Sequence, residues 1–143
     1  MQDRQQRVAA SFGAQGLMST LGATLAFVGD GEVHIALPFS QRLSQQHGFV
    51  HAGAITSVVD SACGYAALTQ APVGCEIVTA EFKINFMRPA LGRHFLAVGK
   101  VQNAGRSLTV CTGEVRAFSA DKPGYKVVAL MQATLVNVAA EAR

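Results

Sequence analysis

Residues 45–70, QQHGFVHAGAITSVVDSACGYAALTQ, constrain this chain more than any other stretch, because they read as one long apolar helix with a single carboxylate, Asp60, in its middle. Ile55, Val58, Val59, Ala62, Cys63 and Ala66 recur at three- and four-residue spacings, which at about 3.6 residues per turn places them on one face. That face is core. On the other face, at about 100° per residue, Gly53, Thr56, Ser57, Asp60, Gly64 and Ala67 gather, all small or polar. The two glycines each cost roughly 1 kcal/mol of helix propensity relative to alanine, which predicts a close neighbour on this face. A second chain is the natural candidate. No Ser, Thr, Asp or Asn stands directly before the helix start near His51, so the first-turn amides of Ala52 and Gly53 are expected to be uncapped.

A length of 143 residues fits one domain with a real core. Half of the residues are apolar and only 15% are charged, which argues against disorder and leaves a sparsely charged surface that burial in an oligomer would explain. The net charge of +3 comes without a Lys/Arg run or basic–aromatic interleaving, so nucleic acid is not an expected partner. Cys63, Cys75 and Cys111 are odd in number and show no paired spacing, so neither a disulfide framework nor a zinc site is expected. They read as buried thiols in a reducing cytosol. Residues 1–13 carry no apolar run of signal-peptide type, and no stretch reaches the roughly 18 apolar residues of a membrane span. The expectation is a soluble, cytoplasmic protein.

Residues 1–19 read as an N-terminal helical segment of the single domain, with a short helix over 3–12 lying on the domain or covering an opening. Strand-like runs at 21–28 and 32–37 flank Gly29-Asp30-Gly31, a hairpin signal, with His34 facing solvent. After the helix, ended by Pro72 and Gly74, the period changes to two. Val78, Ala80, Phe82, Ile84 and Phe86 alternate with Thr79, Glu81, Lys83 and Asn85. Further strand-like runs at 94–102, 107–118 and 126–138 are joined by turn-rich segments, short enough to imply an antiparallel meander. Hairpin, helix and four-strand meander make an α+β domain in which a curved sheet wraps the helix.

Gln45, Gly48, His51-Ala52-Gly53 and Asp60, together with FKINFMRPALG at 82–92 and Ala104-Gly105-Arg106, resemble the hotdog-fold acyl-CoA thioesterases, in particular the PaaI-like (phenylacetate-pathway) branch. Ala52 departs from the glycine usual there, though its backbone amide remains. The resemblance implies hydrolysis of an acyl-CoA to a free acid and coenzyme A, with no metal or redox cofactor and coenzyme A entering as part of the substrate. Asp60 would be general base or nucleophile, and the amides of Ala52 and Gly53 would polarise the thioester carbonyl. Gln45 would position water or the acyl group, His51 would hold the loop or the thioester, and Thr79 would assist the water. Arg88 and Pro89, with Asn103 and Arg106, would bind the coenzyme A moiety.

Each residue also has a plainer reading: a structural Asp bonded to a partner's helix end, a solvated helix start, a surface glutamine, a capping histidine, a solvent-facing threonine, ordinary turn arginines. Asp60 lies roughly 11–12 Å beyond the helix-start amides at about 1.5 Å per residue, so a shared site in a homodimer, within a dimer of dimers, is expected. Two other activities stay open: non-catalytic acyl-CoA binding, and a hotdog hydratase/dehydratase using His51 with Asp60. The acyl group is not specified.

Overall fold

The computed structural model describes residues 3–140, and the outermost residues of the 1–143 domain fall outside it. Helix α1 (Arg4–Ala14) is capped by Asp3, whose side chain accepts from the amide of Gln6, and α2 (Gly16–Leu21) follows. Leu21, expected to open a strand, instead ends α2 before Gly22 at φ 75°, and β1 (Thr24–Gly29) begins three residues later. β2 (Glu32–Pro38) completes the hairpin, after which α3 (Ala52–Leu68), β3 (Cys75–Phe86), β4 (His94–Ala104), β5 (Leu108–Phe118) and β6 (Lys126–Ala139) follow. The helical stretch is therefore shorter than 45–70. Residues 45–50 are a loop closed by Gly48 at φ 86°, a conformation that glycine adopts without penalty.

All six strands form one antiparallel sheet in the order β1-β2-β4-β5-β6-β3. The expected four-strand meander is thus corrected to a three-strand one, β4-β5-β6, with β3 on the far edge against β6. The connection between β3 and β4 looked like a hairpin turn but crosses the sheet end. Three strand spacings come to about 14 Å, and seven residues extend to about 23 Å, so the loop reaches.

The core face of α3 is as its spacing demands: Ile55, Val58, Val59, Ala62, Cys63 and Ala66 are all buried. Helix and sheet approach closely because β4 and β5 carry Gly99 and Gly113 beneath it. A Cβ on Gly99 would run into the backbone of Ala62 and Cys63. Of the six residues assigned to the other face, Ala67 is buried, and the remaining five stay at least partly open. His34 lies on the outer sheet face yet is largely covered, bonded to Glu32 at 2.6 Å with its ring 4.8 Å from that of Phe27.

Strand β3 departs most from its sequence pattern. A bulge at Ala80 shifts the register between Thr79 and Glu81, so Ile77 and Thr79 share the helix-side face with Phe82, Ile84 and Phe86, opposite the buried Leu135, Ala133, Met131 and Ala129. Thr79 is therefore not on the solvent face. The same strand leaves Val78, Phe82 and Phe86 exposed along an unpaired edge.

Candidate active site

Asp60 projects from the middle of α3 toward the first half of β3, where the inward turn of Thr79 brings its hydroxyl to donate to Asp60 Oδ1 at 2.9 Å. Burial raises the carboxyl above its ordinary 3.8, and the Thr79 bond offsets part of that rise. The pair opens onto a cavity of about 770 Å³ between α1, α3 and β3, walled by Tyr65, Leu68, Ile77 and the N-terminal helix. Gly64 faces open space there. Cys75 lines the same cavity and is partly exposed, unlike the buried Cys63 and Cys111. Burial pushes the Cys111 thiol up to about 12 and that of Cys63 higher still, which keeps both protonated and inert at neutral pH.

The start of α3 bounds a second cavity, of about 540 Å³, with Gln45, His51, Ala52, Arg88 and Pro89 around it. The expectation of an uncapped helix fails for Gly53: His51 is the N-cap, and its Nδ1 accepts from the Gly53 amide at 2.7 Å. An imidazole nitrogen two residues upstream supplies the acceptor that Ser, Thr, Asp or Asn usually provides. The Ala52 amide finds no acceptor among the described residues. Gln45 turns its side-chain oxygen back onto its own loop, accepting from the amides of His47 at 2.5 Å and Phe49 at 3.3 Å.

The candidate residues thus fall into two groups. Asp60 and Thr79 share one cavity, and Gln45, His51, Ala52, Arg88 and Pro89 share the other. Asn103 and Arg106 belong to the end of the sheet near Asp60: the Arg106 carbonyl accepts from Asn137, whose strand partner Ile77 lines the Asp60 cavity. Arg88 follows the other end of β3. His51 and Asp60 are nine residues apart, roughly 13 Å along the helix axis, so within one chain they cannot act as an acid–base pair.

The sequence predicts an N-terminal helix on the domain or over an opening, and α1 does wall the Asp60 cavity, but no pattern singled out its contacting residues. Gln15 accepts from Ser61 at 3.2 Å and donates to the Tyr65 hydroxyl at 2.8 Å, while Arg7 donates to the carbonyls of Leu68, Ala71, Pro72 and Cys75. These bonds span about fifty to seventy positions, beyond the reach of any local periodicity.

Residues 47–122, which hold α3 with Asp60 and strands β3, β4 and β5, match the thioesterase superfamily. The chain belongs to that superfamily. It has the hotdog fold and is a hydrolase at the coarse level of its family. A Saccharolobus solfataricus protein described as a candidate esterase is 34% identical over 99 residues, 68% of this chain and 69% of its own. The stretch shared with such curated relatives spans about two thirds of their length. A thioesterase family protein from Silicibacter pomeroyi superposes with a TM-score of 0.92 at 40% identity, covering 96% of this chain and 99% of that one. The E. coli PaaI protein of the phenylacetic acid degradation operon superposes at 0.83 with 21% identity over 94% and 93% of the two chains, a likeness of fold.

Proposed function

We propose that this protein is an acyl-CoA thioesterase whose site is completed by a second copy of the chain. The observation that carries the reading is the Asp60–Thr79 pair, a half-buried carboxylate with a raised pKa, held by one hydroxyl and open to a cavity of acyl-group size. A carboxylate in that setting accepts a proton more readily than a solvated one, as a general base requires.

In this reaction Asp60 takes a proton from water as the water oxygen bonds to the thioester carbonyl carbon. The carbonyl oxygen gathers negative charge against the Ala52 amide at the positive end of α3 in the second copy. The tetrahedral centre then expels the coenzyme A sulfur, the C–S bond breaks, and the proton passes to the departing thiolate. Asp60 acting directly as nucleophile gives the same products through an anhydride that water then opens. Thr79 fixes the carboxylate, and its lone pairs accept from the water. His51 and Gln45 hold the amide-bearing loop. Arg88 and Pro89 from one copy, with Asn103 and Arg106 from the other, would face the coenzyme A phosphates. None of these steps calls for a metal or redox group.

Two features support the second copy. Asp60 and Ala52 are eight residues apart on one rigid helix, about 12 Å, so they cannot meet on one carbonyl within a chain. Strand β3 is a twelve-residue edge with Phe82 and Phe86 uncovered, whereas the opposite edge, β1, is six residues long and flanked by α1. Pairing of two β3 edges, antiparallel, would bring each Asp60 half-site toward the other copy's helix start. A dimer of such dimers, working in the cytoplasm, belongs to the same reading.

The test is thiol release from a graded series of acyl-CoAs, with Asp60→Asn as control. Turnover that falls by about a hundredfold or more in a folded Asp60→Asn protein is expected. Binding without turnover by the parent protein would favour a non-catalytic role instead.

A further inference from the structure

The β4–β5 hairpin turns through Ala104-Gly105-Arg106-Ser107, and its shape is set from two sides. Within the hairpin, the Gly105 amide donates to the Leu108 carbonyl at 2.7 Å. A Cβ on Gly105 would lie 2.8 Å from that same oxygen, so the turn closes more tightly than a side chain there would allow. From outside, Asn137 of β6 holds two successive carbonyls. Its backbone N–H donates to Ser107 at 2.9 Å, and its side-chain Nδ2 donates to Arg106 at 3.2 Å. Three residues on, the Ala140 amide donates to the Gly74 carbonyl at 2.9 Å, and Gly74 and Ala140 both line the Asp60 cavity. This one stretch of β6 ties the hairpin to the rim of the site.

Asn137 makes its side-chain bond at a cost. Its Oδ1 is buried and accepts no hydrogen bond among the described residues, which leaves the acceptor half of the amide unpaired. Turning the amide over would set oxygen against oxygen at Arg106, so the side chain is committed to the orientation in which Nδ2 holds the turn. A leucine of similar size would remove the orphan oxygen, and the Arg106 carbonyl, in an exposed bond, would take water instead. Stability alone therefore gives the asparagine little advantage. Arg106 itself is exposed and forms no ion pair among the described residues. A guanidinium carried on a fixed backbone has fewer torsions to order when it meets an anion.

We propose that Asn137 is a positioning residue for Arg106: by holding the Arg106 carbonyl it sets the direction in which the guanidinium meets the phosphates of coenzyme A. The proposal rests on the thioesterase reading, in which Arg106 faces those phosphates. Asn137 touches neither the acyl group nor the reacting carbonyl in this role. Its effect is confined to binding of the nucleotide end, far from the bond that breaks, and so belongs in KM rather than kcat.

The test uses the acyl-CoA of the graded series that turns over fastest and the pantetheine thioester of the same acid, which lacks the nucleotide and every phosphate. Asn137→Leu is expected to raise KM for the acyl-CoA by about threefold or more, with kcat and the KM for the pantetheine thioester in place. Asn137→Ala, which also removes the donor, carries the same expectation if the leucine variant does not fold. Arg106→Ala is expected to raise KM for the acyl-CoA by about tenfold, and adding the Asn137 substitution to it should raise KM no further, because the group being positioned is gone. A merely structural role would move both thioesters together and would persist without Arg106. Unchanged KM in the Asn137 variants, equal effects on the two thioesters, effects that multiply with Arg106→Ala, or an Arg106→Ala protein with the parent's KM would each overturn the inference while leaving the thioesterase reading intact. Failure of the parent protein to release thiol from any acyl-CoA would overturn both.

Discussion

Asp60 is where stability and activity pull apart. Burial outweighs the Thr79 bond, so the folded protein binds this proton more tightly than the unfolded chain does. The sign follows by linkage: the group costs stability above its folded pKa and recovers it as pH falls through the window between that raised value and the ordinary 3.8. Asparagine keeps an oxygen for Thr79 and carries no charge, so Asp60→Asn is expected to raise Tm by ~1–3 °C at pH 7, with the gain shrinking toward pH 4. Thermal melts across that range check it, and a lower Tm at pH 7 would show that the carboxylate is structural. Activity has the opposite dependence. As the proposed base, Asp60 must be ionised, so kcat/KM should fall on the acid side about an inflection above the usual aspartate range, and a profile flat down to pH 4 would remove Asp60 from the chemistry. Asp60 was legible in the sequence because a carboxylate on a face of small residues is costly to keep. The cap by His51 was not, since histidine is not among the residues that usually announce a helix start.

At the scale of elements, local pattern told the type of each segment and misjudged how the segments meet. The core face of α3 follows from spacing alone, whereas the inward turn of Thr79 depends on one extra residue, Ala80, that alternation cannot reveal. The placement of β3 beside β6 is likewise a matter of loop reach and cover, since the short turn-rich link at 87–93 reads the same whether it closes a hairpin or crosses the sheet end. Being an edge gives β3 its consequence: a long strand with Phe82 43% and Phe86 44% exposed is poorly protected against pairing. Under the proposed shared site, Phe82→Lys should therefore yield a folded monomer by light scattering, with thioester turnover reduced by about a hundredfold because each Asp60 would lose its complementary helix start. Full activity in a monomeric Phe82→Lys protein would separate catalysis from association.

For the whole molecule, the two cavities set a geometric requirement that can be tested by exchange of halves. One holds Asp60 and Thr79, the other the Ala52 amide, and a rigid helix keeps them about 12 Å apart. Two antiparallel copies would give two equivalent sites, each drawing its carboxylate from one chain and its amide from the other. Ala52→Pro deletes the amide with little damage to the fold, because proline suits the first position of a helix and His51 before it already has the extended backbone, φ −60° and ψ 138°, that a residue preceding proline prefers. A homodimer of Ala52→Pro lacks both amides, and a homodimer of Asp60→Asn lacks both carboxylates. In the mixed dimer one site receives the intact Asp60 of the first parent and the intact amide of the second, while the other site receives both defects. Separately tagged, co-expressed and doubly purified heterodimers should therefore recover about half the parent kcat per dimer, with the parent's KM, from two chains that are each inactive alone. Heterodimers as inactive as both homodimers would place the carboxylate and the oxyanion amide of each working site on a single chain.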